Sequence, residues 1–249
     1  MANDHSTEGT CATPRLLPTT HWTQVLAARD ASETKAREAF AWLCEAYWRP
    51  LYVYLRRKGN DVERTEDLVQ GFFAHLLSRS EHWFSHVDRT QGRFRSYLLG
   101  AVDFYVRDQW QRETAAKRGG GKRFLYIDAQ DEESHWDLPR HLTPVEAYEK
   151  RWALALLDRV MRLLEQEYRD RGKSACFEML CPHLLKEAGA GTYSEVGRKL
   201  GMSEGAVAQE IRRMKERYGG LVRSEIQETV GSPAEVEDEL RHLMGILAQ

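Results

Sequence analysis

Three aromatic residues, Tyr97, Phe104 and Trp110, are interleaved with Arg95, Arg107, Arg112, Lys117 and Arg118 along one helical stretch. Each ring offers a face on which an unstacked base can lie and each cation can hold a phosphate, so the pattern suits single-stranded nucleic acid. The same rings serve equally well to complete a bundle core, with the arginines solvated outside it. A second set stands at Ser203, Glu204, Gln209, Arg212, Arg213 and Lys215. Gln209, Arg212, Arg213 and Lys215 occupy the helix face opposite Val207, Ile211 and Met214, with Ser203 as the cap and Glu204 in the first turn, and a helix of ordinary width fits the major groove of duplex DNA. A plain helical hairpin with a solvated charged face carries the same pattern.

Other chemistry finds no constellation. Cys176, Cys181 and His183 lie close together, but their spacing is not that of a zinc knuckle and a fourth ligand is missing. The expectation is no metal and buried structural cysteines. Gly119, Gly120 and Gly121 lack the preceding strand and the Gly-Lys-Ser/Thr ending that a phosphate-cradling loop needs. The acidic residues fall on helix surfaces or in a connecting segment, with no pair spaced to share a metal. No nucleophile and base come together either, so no catalytic residue and no cofactor are expected, and the chain does not read as an enzyme.

Charge is informative through its distribution. With 36 Lys+Arg against 38 Asp+Glu the net charge is -2, which argues against coating nucleic acid through bulk charge. Basic residues nevertheless gather between Arg89 and Arg123, while 128–137 and the tail beyond Glu225 are acidic. Four scattered cysteines give no disulfide framework, no stretch approaches a membrane span, and the first ten residues lack a signal-peptide pattern. The expected setting is reducing and cytoplasmic.

The elements that must position these side chains are helices throughout. Residues 1–18 read as a disordered lead-in. Helical spacing follows at 21–30 and 33–48, Pro50 is expected to break the second of these, and 51–58 forms a short basic helix. The segment 65–79 carries a broad apolar surface from Leu68 to Leu77, and 94–116 is a long helix with Phe94, Leu98, Ala101 and Tyr105 on one face. Residues 119–143 read as a linker, with a short extended piece at 123–127. Helix resumes over 144–168, and 192–218 reads as two helices joined at Gly201, the second capped by Ser203. A last helix at 233–247 carries Val236, Leu240, Leu243 and Leu247 at helical spacing. The predicted fold is all-α: two small helical domains, 19–118 and 144–226, joined by a flexible linker, the second with a helix-turn-helix, followed by a C-terminal helical extension at 227–249.

Three motifs in this order resemble the sigma factors of bacterial RNA polymerase, specifically the compact extracytoplasmic-function type with only conserved regions two and four. Thr65-Glu66-Asp67-Leu68-Val69-Gln70-Gly71-Phe72-Phe73-Ala74-His75-Leu76-Leu77 is similar to the region-two helix that docks on the beta-prime clamp helices. Phe94-Arg95-Ser96-Tyr97-Leu98 is similar to the start of the helix that opens and reads the minus-ten element. Tyr193 to Val196 together with Leu200 to Val207 is similar to the helix-turn-helix that reads the minus-thirty-five element. The resemblance implies core RNA polymerase, through its beta-prime and beta subunits, and promoter DNA as partners; it also allows an anti-sigma factor and implies no membrane insertion. It assigns polymerase contacts to Glu66, Asp67, Gln70 and Phe73, the minus-ten element to the aromatic-basic set, and the minus-thirty-five element to the set beginning at Ser203.

The chain departs from that pattern in places. Asp103 and Phe104 stand where a basic residue and an asparagine are usual, Gly71 replaces a glutamate, and Ala208 and Glu210 replace basic residues on the recognition helix. The stretch 171–191 is longer than usual. These departures keep a second reading open, a polymerase-binding or stand-alone helix-turn-helix regulator without sigma activity.

Overall fold

The computed structural model describes residues 33–78, 93–116, 138–185, 189 and 191–249. The lead-in at 1–18, the helix expected at 21–30, most of the expected linker with its extended piece, and Lys117 and Arg118 lie outside the described residues. All the regular structure within them is helical: α1 (Glu33–Arg57), α2 (Val62–Ser78), α3 (Phe94–Ala116), α4 (Pro144–Asp170), α5 (Ser174–Leu185), α6 (Tyr193–Leu200), α7 (Glu204–Gln227), a single 3-10 turn at Pro233–Glu235, and α8 (Val236–Leu247).

Local chemistry explains most boundaries. Asp61 accepts a hydrogen bond from the Arg64 amide at 2.7 Å, which starts α2 three residues ahead of the expected position. Thr143 and Glu146 form a reciprocal capping box with Pro144 in the first turn of α4. Thr192 and Glu195 repeat that device on α6, and the Thr192 amide holds the Glu195 carboxyl below the usual carboxylate range. Ser203 caps α7 through the Ala206 amide, as its position predicts.

The break expected at Pro50 does not occur, because α1 runs through it. Proline removes one helical hydrogen bond and crowds the preceding turn, at a cost of ~3 kcal/mol in an isolated helix. Leu43, Tyr47, Leu51, Tyr54 and Leu55 lie buried on both sides of it. Each such side chain contributes ~1.5–3 kcal/mol on burial, so one continuous buried face outweighs the proline.

The organising element is α4. Its capped half presents Tyr148, Trp152, Ala153 and Leu156 to the core against α1, with the Tyr54 and Tyr148 rings 6.2 Å apart. Its other half presents Val160, Leu164 and Tyr168 toward α5 and α7, with Tyr168 and Phe177 at 5.8 Å. Residues from every helix join one continuous apolar cluster, so the segments placed by sequence on either side of 119–143 share a core in this structure. The long stretch 171–191 contains α5, whose Phe177 and Leu180 close that cluster under α4, α6 and α7. Cys181 approaches Met161 on α4 at 3.8 Å, while Cys176 lies by Lys173 and Glu210. Among the described residues no helix is long and apolar enough to cross a membrane.

Candidate nucleic-acid interface

Helix α3 is divided lengthwise. Phe94, Leu98, Val102 and Tyr105 are buried, which fixes the helix against α1 and α2. That burial turns Tyr97, Phe104 and Trp110 outward, at 37, 69 and 55 % exposure. Tyr97, Gly100, Phe104, Arg107 and Gln111 follow one another at spacings of three and four, so they form a single exposed stripe. Nothing lies within 4 Å of the position a β-carbon would take at Gly100, and the stripe is therefore open at its centre. Arg112 is exposed and pairs with Asp108 at 2.8 Å. A phenylalanine two-thirds exposed on this stripe, and a tryptophan half exposed elsewhere on the same helix, are apolar area that folding leaves in water, as binding surfaces do.

The acid beside this stripe is tied down from behind. The Tyr54 hydroxyl donates to Asp103 at 2.8 Å and the Lys58 ammonium at 2.7 Å, linking α1 to α3. Burial, then the bond to Asp103, pushes the Tyr54 phenol up. Asp103 is thus a strut between helices and its carboxylate is already shared.

Arg95 is not on the exposed stripe. The residue expected to hold a phosphate is 2 % exposed, packs over the Trp152 ring at 4.4 Å, and lies 2.5 Å from Glu239 of α8. Its spacing from Phe94 and Leu98 turns it inward, and the acidic partner comes from a segment distant in sequence. Of the aromatic-basic set, Tyr97, Phe104 and Arg107 share one exposed stripe, Trp110 and Arg112 are exposed elsewhere on the helix, and Arg95 is withdrawn from the surface.

Helix α2 carries a second exposed stripe. Glu66, Asp67 and Gln70 are exposed on it, continued by Ala74 and Leu77, with Leu77 at 47 % exposure. Phe73, expected among the outward contacts, is buried: it stacks on Trp48 at 6.2 Å and meets Phe40 edge-on at 6.2 Å. The apolar surface of α2 is broad enough in sequence to hide which edge faces out, and Phe73 lies on the inner one. Trp48, about one-third exposed against Phe73, is the apolar residue that sequence reasoning missed; only its place on α1 relative to the buried Tyr47 and Leu51 could have signalled it.

The third surface is the outer face of α7. Val196, Val207, Ile211 and Met214 pack inward, leaving Ser203, Glu204, Gln209, Arg212, Arg213 and Lys215 exposed. Gly201 takes φ +66° at the end of α6, a conformation suited to glycine. At Gly197 an added β-carbon would meet the Met202 carbonyl oxygen at 2.5 Å, so the turn folds tightly back on its own first helix. Glu210, read from sequence as weakening the outer face, is instead buried, facing Lys173 at 3.5 Å and the Tyr168 hydroxyl at 3.5 Å. It still reaches Arg213 at 3.4 Å, while Arg212 lies 3.7 Å from Glu216. Arg217 is clamped to Glu167 of α4, whose carboxyl it holds below the usual range.

Compared with known proteins, the chain matches no family model, no curated protein and no solved structure.

Proposed function

We propose that this chain is a sigma factor of the extracytoplasmic-function type: it binds core RNA polymerase and directs recognition and melting of a promoter. The observation that carries the reading is the aromatic-basic stripe of α3, where Phe104 and Arg107 are exposed and Tyr97 partly so, on a helix anchored by the buried Phe94, Leu98, Val102 and Tyr105. Opening a duplex costs ~1.4 kcal/mol per base-pair step. Stacking a captured base on a ring returns ~1–3 kcal/mol, so two or three such rings suffice to trap a short bubble.

Two further surfaces support it. The α2 stripe of Glu66, Asp67 and Gln70 offers carboxylates and an amide to a basic partner, with Trp48 and Leu77 supplying apolar contact. Helices α6 and α7 act as a helix-turn-helix, with Gln209, Arg212, Arg213 and Lys215 turned to the duplex. On this reading 19–118 and 144–226 are the two reading units, and polymerase and promoter DNA are the partners in the cytoplasm.

Initiation by purified protein and core polymerase on genomic fragments tests the proposal. Start sites that share upstream sequence are expected; the absence of any specific start would defeat it. One observation favours a second reading, a regulator that binds polymerase without reading promoters. Arg212, Arg213 and Arg217 each already face a carboxylate of the same chain, which weakens the grip of α7 on duplex DNA. Binding to core without initiation is the outcome that reading requires.

A further inference from the structure

Among the described residues the most deeply buried ion pair lies where α8 meets the start of α3. Arg93 and Arg95 both face Glu239: Arg93 Nε stands 2.6 Å from one carboxylate oxygen and Arg95 Nη1 2.5 Å from the other. Glu239 is 1 % exposed and Arg95 2 %, so both charges have been taken out of water. Such burial is expensive, and a buried pair is favoured over apolar packing only when its hydrogen bonds are well made. Here they are not. Neither the guanidinium nitrogens of Arg95 nor the oxygens of Glu239 find a well-aligned hydrogen-bond partner despite the short separation. A second carboxylate, Glu149 of α4, lies 3.7 Å from Arg95 and is engaged by His242 of α8 at 2.5 Å.

Two guanidinium groups converging on one anionic group is the arrangement that holds a phosphate, and arginine presents a planar fork suited to it. The site also adjoins the exposed aromatic stripe. Tyr97 follows Arg93 by one helical turn, its amide bonded to the Arg93 carbonyl at 3.2 Å, and Arg93 itself remains 32 % exposed on its side chain. The other wall is Trp152, under the Arg95 guanidinium. The present occupant is a side chain of the last helix, whose outer residues Arg241, Met244 and Gly245 are exposed.

We infer that Arg93 and Arg95 form a latent binding site for the phosphate backbone of single-stranded DNA, masked by α8, with Glu239 occupying the position of the phosphate. The inference rests on the nucleic-acid reading of α3, and it turns the C-terminal helix into an intramolecular competitor for that strand. Binding requires α8 to leave, so strand capture and release of the C-terminus are the same event. Backbone phosphate replaces Glu239, and the Tyr97 and Phe104 rings take the bases beside it.

A thymidine oligonucleotide and the full chain test this without polymerase or promoter. Glu239→Gln removes the competing charge and leaves the shape. It is expected to raise affinity for the oligonucleotide about fivefold or more and to steepen the dependence of log affinity on log salt by ~0.7 per phosphate newly held. Adding Arg95→Ala to that variant is expected to cancel both gains. Unchanged affinity and salt slope in a folded Glu239→Gln protein overturn the inference, as does a gain that survives Arg95→Ala. Should the variant lose its helical signal, hydrogen exchange on the unaltered protein decides. Saturating oligonucleotide must accelerate exchange across α8, whereas unchanged α8 exchange, no binding at all, or an equal response to inorganic phosphate overturns the assignment. Failure of specific initiation with core polymerase would sink the sigma reading while leaving these oligonucleotide results to stand or fall alone.

Discussion

A β-carbon on Gly71 would overlap the hydroxyl of Tyr105. The tyrosine ring cannot easily yield, because it is packed between Phe72 at 5.7 Å and His75 at 5.5 Å and is itself buried. Glycine in the middle of α2 is therefore the condition for α2 and α3 to approach, and a longer side chain there would force the helices apart.

Gly71→Ala is accordingly expected to destabilise the protein by ~1–3 kcal/mol, against the ~1 kcal/mol that alanine gains in a helix. Tyr105→Phe should restore most of the loss by removing the overlapping oxygen. Urea denaturation of the two single variants and the double variant measures the coupling; a more stable Gly71→Ala protein would contradict the packing.

On the proposed sigma reading, Phe104→Ala and Tyr97→Ala together should impair strand opening while sparing polymerase binding. The expected loss is ~1–3 kcal/mol per captured base, or roughly fivefold to a hundredfold. Permanganate reactivity of thymines in the polymerase complex reads this directly, and an unchanged pattern would remove both rings from the mechanism. Because Phe104 is 69 % exposed, its replacement alone should alter unfolding by no more than ~0.5 kcal/mol.

Glu210→Gln should act on two levels. Loss of the charge between Lys173 and Arg213, both themselves more than half exposed, is expected to cost only ~1 kcal/mol of stability. Arg213 would at the same time be freed for a phosphate, steepening the salt dependence of duplex binding by ~0.9. A salt slope that does not move would show that Arg213 never reaches the backbone.

Two glycines should respond oppositely to alanine. At Gly197 the obstacle is the Met202 carbonyl oxygen at 2.5 Å, part of the backbone, so Gly197→Ala should destabilise the α6–α7 unit by ~1–3 kcal/mol. Gly100 has open space around it, and Gly100→Ala should stabilise α3 by ~0.5–1 kcal/mol. Thermal melts of the pair give the comparison, and equal signs would refute it.

Alkaline pH should unfold the chain steeply. Burial first, then the neighbouring Glu210 carboxylate, pushes the Tyr168 phenol from 10.0 up to about 12, and burial raises Tyr54, Tyr105 and Tyr218 as well. A raised phenol favours the neutral folded form, so this stability is fully present below pH 10 and is lost as pH climbs toward 12. Phenolate absorbance and helical circular dichroism should change together across that window; phenolate appearing at pH 10 with helix intact would place these tyrosines in water.

Much of the scaffold could be read in advance. The inward face of α3, the cap at Ser203 and the glycine end of α6 follow from periodicity and from residue types that suit only one local conformation. What escaped depended on partners far along the chain. Pro50 is a helix breaker locally, and only the burial of Tyr47 and Leu51 on either side overrides it. Phe73 and Leu77 look alike on α2 until α1 covers one of them. Arg95 reads as a free cation because nothing near it announces Glu239, and Glu210 reads as exposed until Lys173 and Tyr168 come to meet it. The box at Thr192 and Glu195 escaped as well, although a threonine three residues before a glutamate is its signature.

Helix α4, fixed to α1 at one end and to α7 at the other, has a consequence for distances. A continuous helix of 27 residues behaves as a ruler. The spacing and angular phase between the outer faces of α3 and α7 change with its rise and twist, ~1.5 Å and ~100° for each residue inserted or removed. One residue added near the middle of α4 would leave both faces chemically intact and yet out of phase, so the length of this helix sets how the two faces stand to one another.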